Sequence, residues 1–189
     1  MKRIHCLKLS VVMILGIALL WVSGCSSVPI GSERIQDPTR YLEVNDYVDG
    51  QLGKSFYNCF PTEIPVTSIC KSYLYGYDCA FGGMPSFFVS LKLQFDNVHY
   101  FQETDNIVQC GFLTLIDIDG IDYVIIQGAQ EDFDKYVDST TEDGRCFEFQ
   151  IVAMDESNNN IDYLYARVYD GTTTEPAIQQ LLNTIASHY

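Results

Sequence analysis

Regular alternation of apolar and polar residues is the feature that most constrains how this chain can fold. Across residues 87–95 the odd positions are Phe, Val, Leu, Leu and Phe, whereas Ser90, Lys92 and Gln94 stand at even positions. Side chains on a β-strand point alternately to its two faces, so this segment is predicted to be a strand with one buried face.

Five further segments have the composition of strands, and turn residues pair them into hairpins. Asp119-Gly120 separates the third and fourth predicted strands, and this dipeptide readily adopts the positive φ angles of a type I′ turn. The polar segment Asp155–Asn160 predicts a longer hairpin loop between the last two strands. The six predicted strands are Lys71–Tyr77, Phe87–Phe95, Phe112–Ile118, Ile121–Gln127, Arg145–Met154 and Ile161–Tyr169.

A first helix is predicted over Asn97–Val108. Asp96 precedes it and can cap its free backbone N–H groups. Val98, Phe101 and Val108 are then expected to face inward.

A second helix is predicted over Glu175–Ser187, with Thr174 as its cap and Pro176 in its first turn. Its apolar stripe consists of Ile178, Leu181, Leu182 and Ile185. Hairpin-paired strands with one or two packed helices predict an α+β fold whose sheet is mainly antiparallel.

The first 24 residues have the character of a secretory signal peptide. They contain the cations Lys2, Arg3 and Lys8 but no acid, and then an apolar run from Leu9 to Val22. That run has 14 residues, whereas a membrane-spanning helix needs about 20. We therefore expect residues 1–24 to be removed, the alternative being an uncleaved N-terminal anchor.

The residues that follow resemble the lipobox of bacterial lipoproteins. Val22, Ser23, Gly24 and Cys25 give an aliphatic residue, two small residues and a cysteine. The resemblance implies a diacylglycerol thioether on Cys25 and cleavage just before it. Lipid chains on that residue would hold the protein at the extracytoplasmic face of the cell membrane, so the membrane is the first predicted partner.

Removal of the leader makes the protein strongly acidic. Three of the 11 Lys and Arg residues lie in the leader, which leaves 8 cations against 25 acids and a net charge of −17. Such acidity excludes a routine nucleic-acid binder, because phosphate contacts need clustered Lys and Arg. It favours cationic partners instead, in associations that weaken with salt.

Residues 25–40 are predicted to be a flexible tether, because they lack apolar periodicity and contain Ser, Gly and Pro. An ordered N-terminal strand is the alternative for this stretch. Residues 41–189 are predicted to form a single globular domain.

The order of features in this domain resembles small surface lipoproteins of Gram-positive bacteria. It consists of Phe60-Pro61 and Ile64-Pro65, a tyrosine-rich strand, an aliphatic strand with a short acidic helix, and two late hairpins. The resemblance implies the fold class and carries no mechanism.

Five cysteines remain in the domain, an odd number that permits at most two internal disulfides. The sequence selects no pairing among Cys59, Cys70, Cys79, Cys110 and Cys146. A nucleophilic cysteine beside His99 is formally possible, but buried or bridged structural cysteines are the favoured interpretation.

The sequence predicts no metal site, no cofactor and no catalytic residues. Acid-rich segments starting at Asp117 and Asp155 lack the glycine and glutamate of an EF-hand loop and are better explained as turns. An irregular calcium site and a pair of catalytic carboxylates stay open, since both depend on spatial arrangement. Phe81–Pro85 reads as a turn rather than an anion-binding nest.

Tyr73, Tyr75 and Tyr77 alternate, so on a strand they share one face. That face is the candidate ligand-binding surface, although a half-buried sheet face explains the same pattern. The preferred functional hypothesis is a non-catalytic module that binds a peptide, a protein or an envelope component. The alternative is a secreted hydrolase or envelope-processing enzyme without a recognisable motif.

Overall fold

The structure, a computed structural model, describes residues 31–52, 59–79, 86–126, 129–138, 146–169 and 175–189. The signal peptide and the lipobox residues Val22, Ser23, Gly24 and Cys25 lie outside this part of the chain, so their predicted roles stay predictions. Within the described residues no helix is long and apolar enough to cross a membrane.

Seven strands form one sheet in which every neighbouring pair is antiparallel. Their spatial order is β1-β2-β3-β7-β6-β5-β4, so two meanders meet where β3 pairs with β7. The α+β prediction with a mainly antiparallel sheet is confirmed. The strands are β1 Gly31–Ile35, β2 Ser68–Cys79, β3 Ser86–Phe95, β4 Phe112–Ile118, β5 Ile121–Ile126, β6 Cys146–Asp155 and β7 Asn160–Tyr169.

The described residues include four helices, two more than the sequence analysis singled out. They are α1 Tyr41–Leu52, α2 Asn97–Gln109, α3 Gln130–Val137 and α4 Pro176–His188. Side chains of α1 and α2 pack on one face of the sheet, and side chains of α3 and α4 pack on the other. The sheet is therefore covered on both faces.

The alternation of apolar and polar residues over 87–95 has the expected structural basis in β3. Phe87, Val89, Leu91, Leu93 and Phe95 are all buried against the first helical layer. Phe88 faces the opposite side of the sheet and is buried there, in the core that α3 and α4 cover, which we call the second core.

The Asp119-Gly120 turn is confirmed, with φ angles of 54° and 79°. Asp155–Asn160 also forms the connection predicted for it. Glu156–Asn158 make a short 3-10 turn and Asn159 adopts a φ of 51°, after which β7 begins.

Helix α2 carries the chain from the middle of the sheet to its far edge. β3 and β4 stand four positions apart, which corresponds to roughly 19 Å at the usual strand spacing. A helix of 13 residues is about 20 Å long, and α2 contacts both strands. Its length therefore matches the crossing that it makes.

The start of α2 is as predicted, but its orientation is not. Asp96 accepts a hydrogen bond from the His99 backbone N–H and caps the helix. The buried residues are Tyr100 and Ile107, whereas Val98, Phe101 and Val108 are 64%, 45% and 51% exposed. The predicted inward face of this helix was wrong.

Helix α4 buries Ile178, Leu182 and Ile185 as expected, with Leu181 partly buried beside them. Its N-cap is Glu175, without a side-chain capping bond. The predicted cap Thr174 lies outside the described residues, as do Gln127, Arg145 and the predicted turn Phe81–Pro85.

The predicted tether over residues 25–40 was wrong from Gly31 onward. Gly31–Ile35 pair with β2 as the edge strand of the sheet. Ser32, Glu33 and Arg34 are exposed and only Ile35 enters the core. The strand therefore has almost no apolar pattern in its sequence. It is held in the sheet mainly by backbone hydrogen bonds to β2.

Candidate functional site

The three tyrosines proposed as a binding surface lie on the face of the sheet that α1 and α2 cover. Tyr73 and Tyr75 are 4% and 3% exposed, and the half-buried Tyr77 packs against the same core. The ring of Tyr73 meets that of Tyr41 edge-on, with centroids 5.6 Å apart. The structure therefore corrects the prediction of an exposed aromatic platform, since Tyr73 and Tyr75 are core residues.

His99 and Cys110 lie at opposite ends of helix α2 and do not meet as a catalytic pair. His99 lies at the start of α2, with Nδ1 2.6 Å from Asp96 Oδ2. Cys110 follows the other end of that helix, about 16 Å away along the axis for 11 residues of rise. His188 is at the end of α4, where its Nδ1 contacts the Thr184 carbonyl oxygen.

Four cysteine side chains are described, and all four are thiols. Cys70 Sγ hydrogen-bonds the Ser72 carbonyl oxygen at 3.6 Å, and Cys146 Sγ accepts a bond from Arg167 Nε at 3.1 Å. The other two, Cys59 and Cys110, come together in the wall of a groove.

This groove, the α2 groove, runs between residues 59–65 and helix α2 and has a volume of about 340 Å³. That volume is at the lower end of the range of small-ligand pockets, about 300–1,000 Å³. The groove is lined by Cys59, Phe60, Pro61, Thr62, Glu63, Pro65, Glu103, Asn106, Ile107 and Cys110.

Helix α1 and β2 hold the loop side of the groove in place. Tyr41 donates its hydroxyl to the Pro61 carbonyl oxygen at 2.6 Å, and Asn45 Nδ2 donates to the Thr62 carbonyl oxygen at 3.1 Å. At the other end, the Ser68 hydroxyl donates to the Pro65 carbonyl oxygen at 2.8 Å. Phe60 is buried in the core below, so the loop is anchored along its length.

A carboxylate fixed on both oxygens forms the helix side of the groove. Glu103 Oε1 accepts the Tyr163 hydroxyl at 2.5 Å, and Glu103 Oε2 accepts from Asn106 Nδ2 at 3.1 Å. Tyr163 lies in the core, and burial raises its pKa far above the ordinary value. The phenol therefore stays protonated and donates to the carboxylate.

The charge of the groove has one sign. Glu63 and Glu103 contribute carboxylates, and none of the described residues that line the groove is Lys, Arg or His. A negative field in a concave site raises the local concentration of cations. The arrangement is suited to holding a cationic group.

The thiol in this groove is not set up for nucleophilic chemistry. Burial raises the pKa of the Cys59 thiol, and a hydrogen bond with Cys110 raises it further. The reactive nucleophile is the thiolate, so Cys59 is a weak nucleophile toward a bound substrate while the Cys110 thiol lies beside it.

A second cavity, of about 250 Å³, lies on the opposite face of the sheet. Its walls include Ser72, Ser90 and Tyr123, and its charges pair, because Lys92 Nζ lies 2.7 Å from Asp162 Oδ2. Burial raises the Asp162 pKa, against the opposing effect of Lys92. This internally compensated cavity has no net field for a charged ligand.

A third cavity, of about 290 Å³, lies where β1 approaches the start of α4. Arg34 Nη1 lies 2.6 Å from Glu175 Oε2 and joins these elements. In the part of the chain that the structure describes, no group of three His, Cys, Asp or Glu side chains could hold a metal ion.

Comparisons with known proteins add no relative. No protein-family model matches the chain, and no curated protein or solved structure matches it.

Sequence reasoning did not single out Glu63 or Glu103. A proline on either side of residues 62–64 marks an irregular loop that carries an acid. Glu103 gives no comparable signal, because its importance comes from Tyr163, which lies 60 positions away.

Proposed function

We propose that this protein is a lipid-anchored extracytoplasmic binding module that holds a cationic segment of a peptide or protein in the α2 groove. The observation that carries the binding role is that two carboxylates, of Glu63 and Glu103, line a concave site whose described lining contains no cation. The leader and the cysteine of the lipobox-like motif support the location.

The lining of the groove combines carboxylates with apolar side chains. The side chain of a lysine or arginine needs both, since it has a charged head and an apolar stem. Glu103 is fixed by Tyr163 and Asn106, so it need not become ordered when a ligand binds, which lowers the cost of binding. Pro61, Pro65 and Ile107 offer surface to the methylene groups of such a side chain.

Binding is favoured over hydrolysis by the chemistry of the groove lining. Its nucleophilic side chains are the two thiols, a threonine hydroxyl and the carboxylates of Glu63 and Glu103. Burial holds the Cys59 thiol in its protonated form, and both oxygens of Glu103 already accept hydrogen bonds from Tyr163 and Asn106. Both described histidines lie elsewhere and have local partners.

The groove is tested by measuring the affinity of a fluorescently labelled tetralysine peptide by anisotropy. Replacing Glu103 by Gln keeps an acceptor for Tyr163 but removes the charge, so we expect affinity to fall about 2–5-fold, as for one partly exposed ion pair. Affinity of the unmodified protein is expected to fall as salt increases.

The matched control is Asp105→Asn, which removes the same charge from an exposed position of the same helix. That residue is not part of the groove lining, so we expect a change of less than about twofold. Equal losses of affinity in Glu103→Gln and Asp105→Asn would mean that the peptide responds to the overall charge of the protein. That result would contradict binding in the α2 groove.

The anchor is tested separately, by metabolic labelling with a fatty acid. Cys25→Ala should abolish incorporation of the label and leave the precursor unprocessed, because the acceptor thiol is lost. Cys6→Ala, which removes a cysteine within the leader, should leave labelling intact. Label retained by Cys25→Ala would refute the lipid anchor without bearing on the groove.

A further inference from the structure

We propose that Cys59 and Cys110 are a redox-active pair that closes into a disulfide across one end of the α2 groove. The pairing follows from geometry alone. Its oxidation in the cell additionally rests on the extracytoplasmic location proposed above, because disulfides form and persist in oxidising compartments.

The two thiols are neighbours. Cys59 and Cys110 line the same groove and interact through their side chains. Their closure requires the two sulfurs to approach to about 2.05 Å, the length of an S–S bond.

The two sulfurs differ in access, which gives the reaction an order. Cys59 is 6% exposed, whereas Cys110 is half-buried at the end of α2, with Sγ 3.4 Å from the Asn106 carbonyl oxygen. An oxidant therefore meets Cys110 first, and Cys59 is the resolving thiol behind it.

The oxidant is a disulfide, either a small molecule or the active site of an oxidoreductase. The Cys110 thiolate attacks one of its sulfurs, giving a mixed disulfide and releasing one thiol. In the mixed disulfide Cys110 is no longer a thiol, so its contribution to the raised pKa of Cys59 is lost. Cys59 then loses its proton to solvent and attacks Cys110 Sγ, which releases the second thiol. The pair loses two electrons and two protons, and the oxidant is reduced to two thiols.

Two other described cysteines have contacts of their own. Cys70 bonds the Ser72 carbonyl oxygen, and Cys146 accepts from Arg167. Among the four cysteines whose side chains the structure describes, Cys59 and Cys110 are the two that interact with each other.

Closure would change the groove as well as the stability of the domain. The bridge would tie the first residue of the groove loop to the end of α2, so the two walls could no longer separate. It would also restrict the unfolded chain over a loop of about 50 residues. We expect the midpoint of thermal unfolding to rise by about 5–15 °C.

The test uses the full-length protein in detergent, incubated with glutathione disulfide or with dithiothreitol. Thiols are then alkylated in denaturant and the linked peptides are mapped by mass spectrometry. We expect loss of two alkylated thiols, a cross-linked peptide joining Cys59 to Cys110, and the higher unfolding midpoint. Continued alkylation of both residues after oxidation, or a bridge from either to another cysteine, would overturn the pairing.

Variants provide a second measurement. Cys110→Ser should abolish the bridge and the oxidant-dependent rise in midpoint, whereas Cys70→Ser should retain both. If Cys110→Ser does not fold, the peptide map of the unmodified protein still decides the pairing.

Alkylation on intact cells separates this inference from the proposed function. A bridge found on cells supports both the pairing and an oxidising location. A bridge that forms with glutathione disulfide but is absent on cells would support the pairing and contradict the location.

Discussion

Gly76 lies on β2 directly opposite Phe88 of β3, and the Phe88 ring occupies the space that a side chain at position 76 would need. A Cβ atom added to Gly76 would lie 2.3 Å from Phe88 Cζ. Phe88 is itself buried in the second core and also borders the third cavity, so a side chain at position 76 would have to push the ring out of its packed position. A glycine in a strand interior here marks a close approach of the neighbouring strand's side chain.

We therefore expect Gly76→Ala to lower the free energy of unfolding by about 1–3 kcal/mol through overpacking. Gly50→Ala is the matched control, because a Cβ atom at Gly50 in helix α1 would meet nothing within 4 Å. It should raise stability by about 0.4–1 kcal/mol. Urea unfolding of the two variants measures both effects, and loss of stability in both would contradict this account.

The residues of the candidate site could not be assembled from sequence, since the loop, helix α2 and strand β7 supply them separately. Tyr73 and Tyr75 show the converse problem. Their alternation correctly placed them on one face, but it carried no information on whether that face meets water or helix α1. Only the position of Tyr41 against Tyr73 settles this.

At the scale of elements, α2 shows how an amphipathic helix can be read in the wrong rotation. Apolar residues occur on both sides of it, and the sequence analysis chose Val98, Phe101 and Val108. The structure buries Tyr100 and Ile107 instead. The inward side also carries Glu103, whose charge weakened the apolar signal of that stripe, although the Tyr163 hydroxyl satisfies it.

Two alanine variants distinguish these orientations. Tyr100 is 3% exposed, so Tyr100→Ala is expected to cost about 3–5 kcal/mol of unfolding free energy, as for other large buried aromatics. Phe101 is 45% exposed, and Phe101→Ala should cost less than about 1 kcal/mol. Chemical denaturation measures both, and a larger loss in Phe101→Ala would support the other rotation.

The elements that the sequence predicted are those with a regular or continuous apolar pattern. β3 alternates along most of its length, β6 and β7 have apolar runs that are buried on both faces, and α4 has an apolar stripe that the structure buries. Helix α1 was missed although Tyr41, Val44, Asn45 and Val48 form a buried stripe of the same spacing. The polar Asn45 interrupts that stripe, and its side chain bonds the Thr62 carbonyl oxygen. Strand β1 was only the alternative to a tether, because it contributes only Ile35 to the core.

At the scale of the whole molecule, excess negative charge makes stability depend on pH. Burial raises the pKa of Glu148, with Arg167 opposing it, and burial likewise raises the pKa of Asp162. In contrast, backbone and side-chain hydrogen bonds lower the pKa of Asp96, and those of Asn158 and its neighbours lower that of Asp155.

Acids with a raised pKa and acids with a lowered pKa have opposite effects on how stability changes with pH. An acid whose pKa is raised binds protons more tightly when folded, so it destabilises the fold as pH rises through its window above the ordinary value. An acid whose pKa is lowered stabilises the fold at neutral pH and loses that effect below the ordinary value. We expect the unfolding midpoint to rise from pH 7.5 to about pH 5 and to fall below about pH 4.

Thermal unfolding across this range measures the profile. The double variant Glu148→Gln with Asp162→Asn should show a smaller rise between neutral pH and about pH 5, because it removes the two buried acids. An unchanged slope would show that general charge repulsion, rather than these residues, determines the pH dependence.

The edge strand β1 also limits how far the domain can stand from a lipid on Cys25. Only five residues separate Cys25 from Gly31, where β1 begins, and a fully extended segment of that length spans about 20 Å. The radius of gyration of a domain of this size is about 15 Å, so the extended segment is shorter than the domain is wide. Gly31 pairs with Cys79 at the end of β2, whereas the groove loop meets the start of that strand, where the Ser68 hydroxyl bonds the Pro65 carbonyl oxygen. A lipid on Cys25 would therefore hold one end of β2 at the membrane and leave the α2 groove at the other end, about 36 Å along the strand for 11 residues of rise.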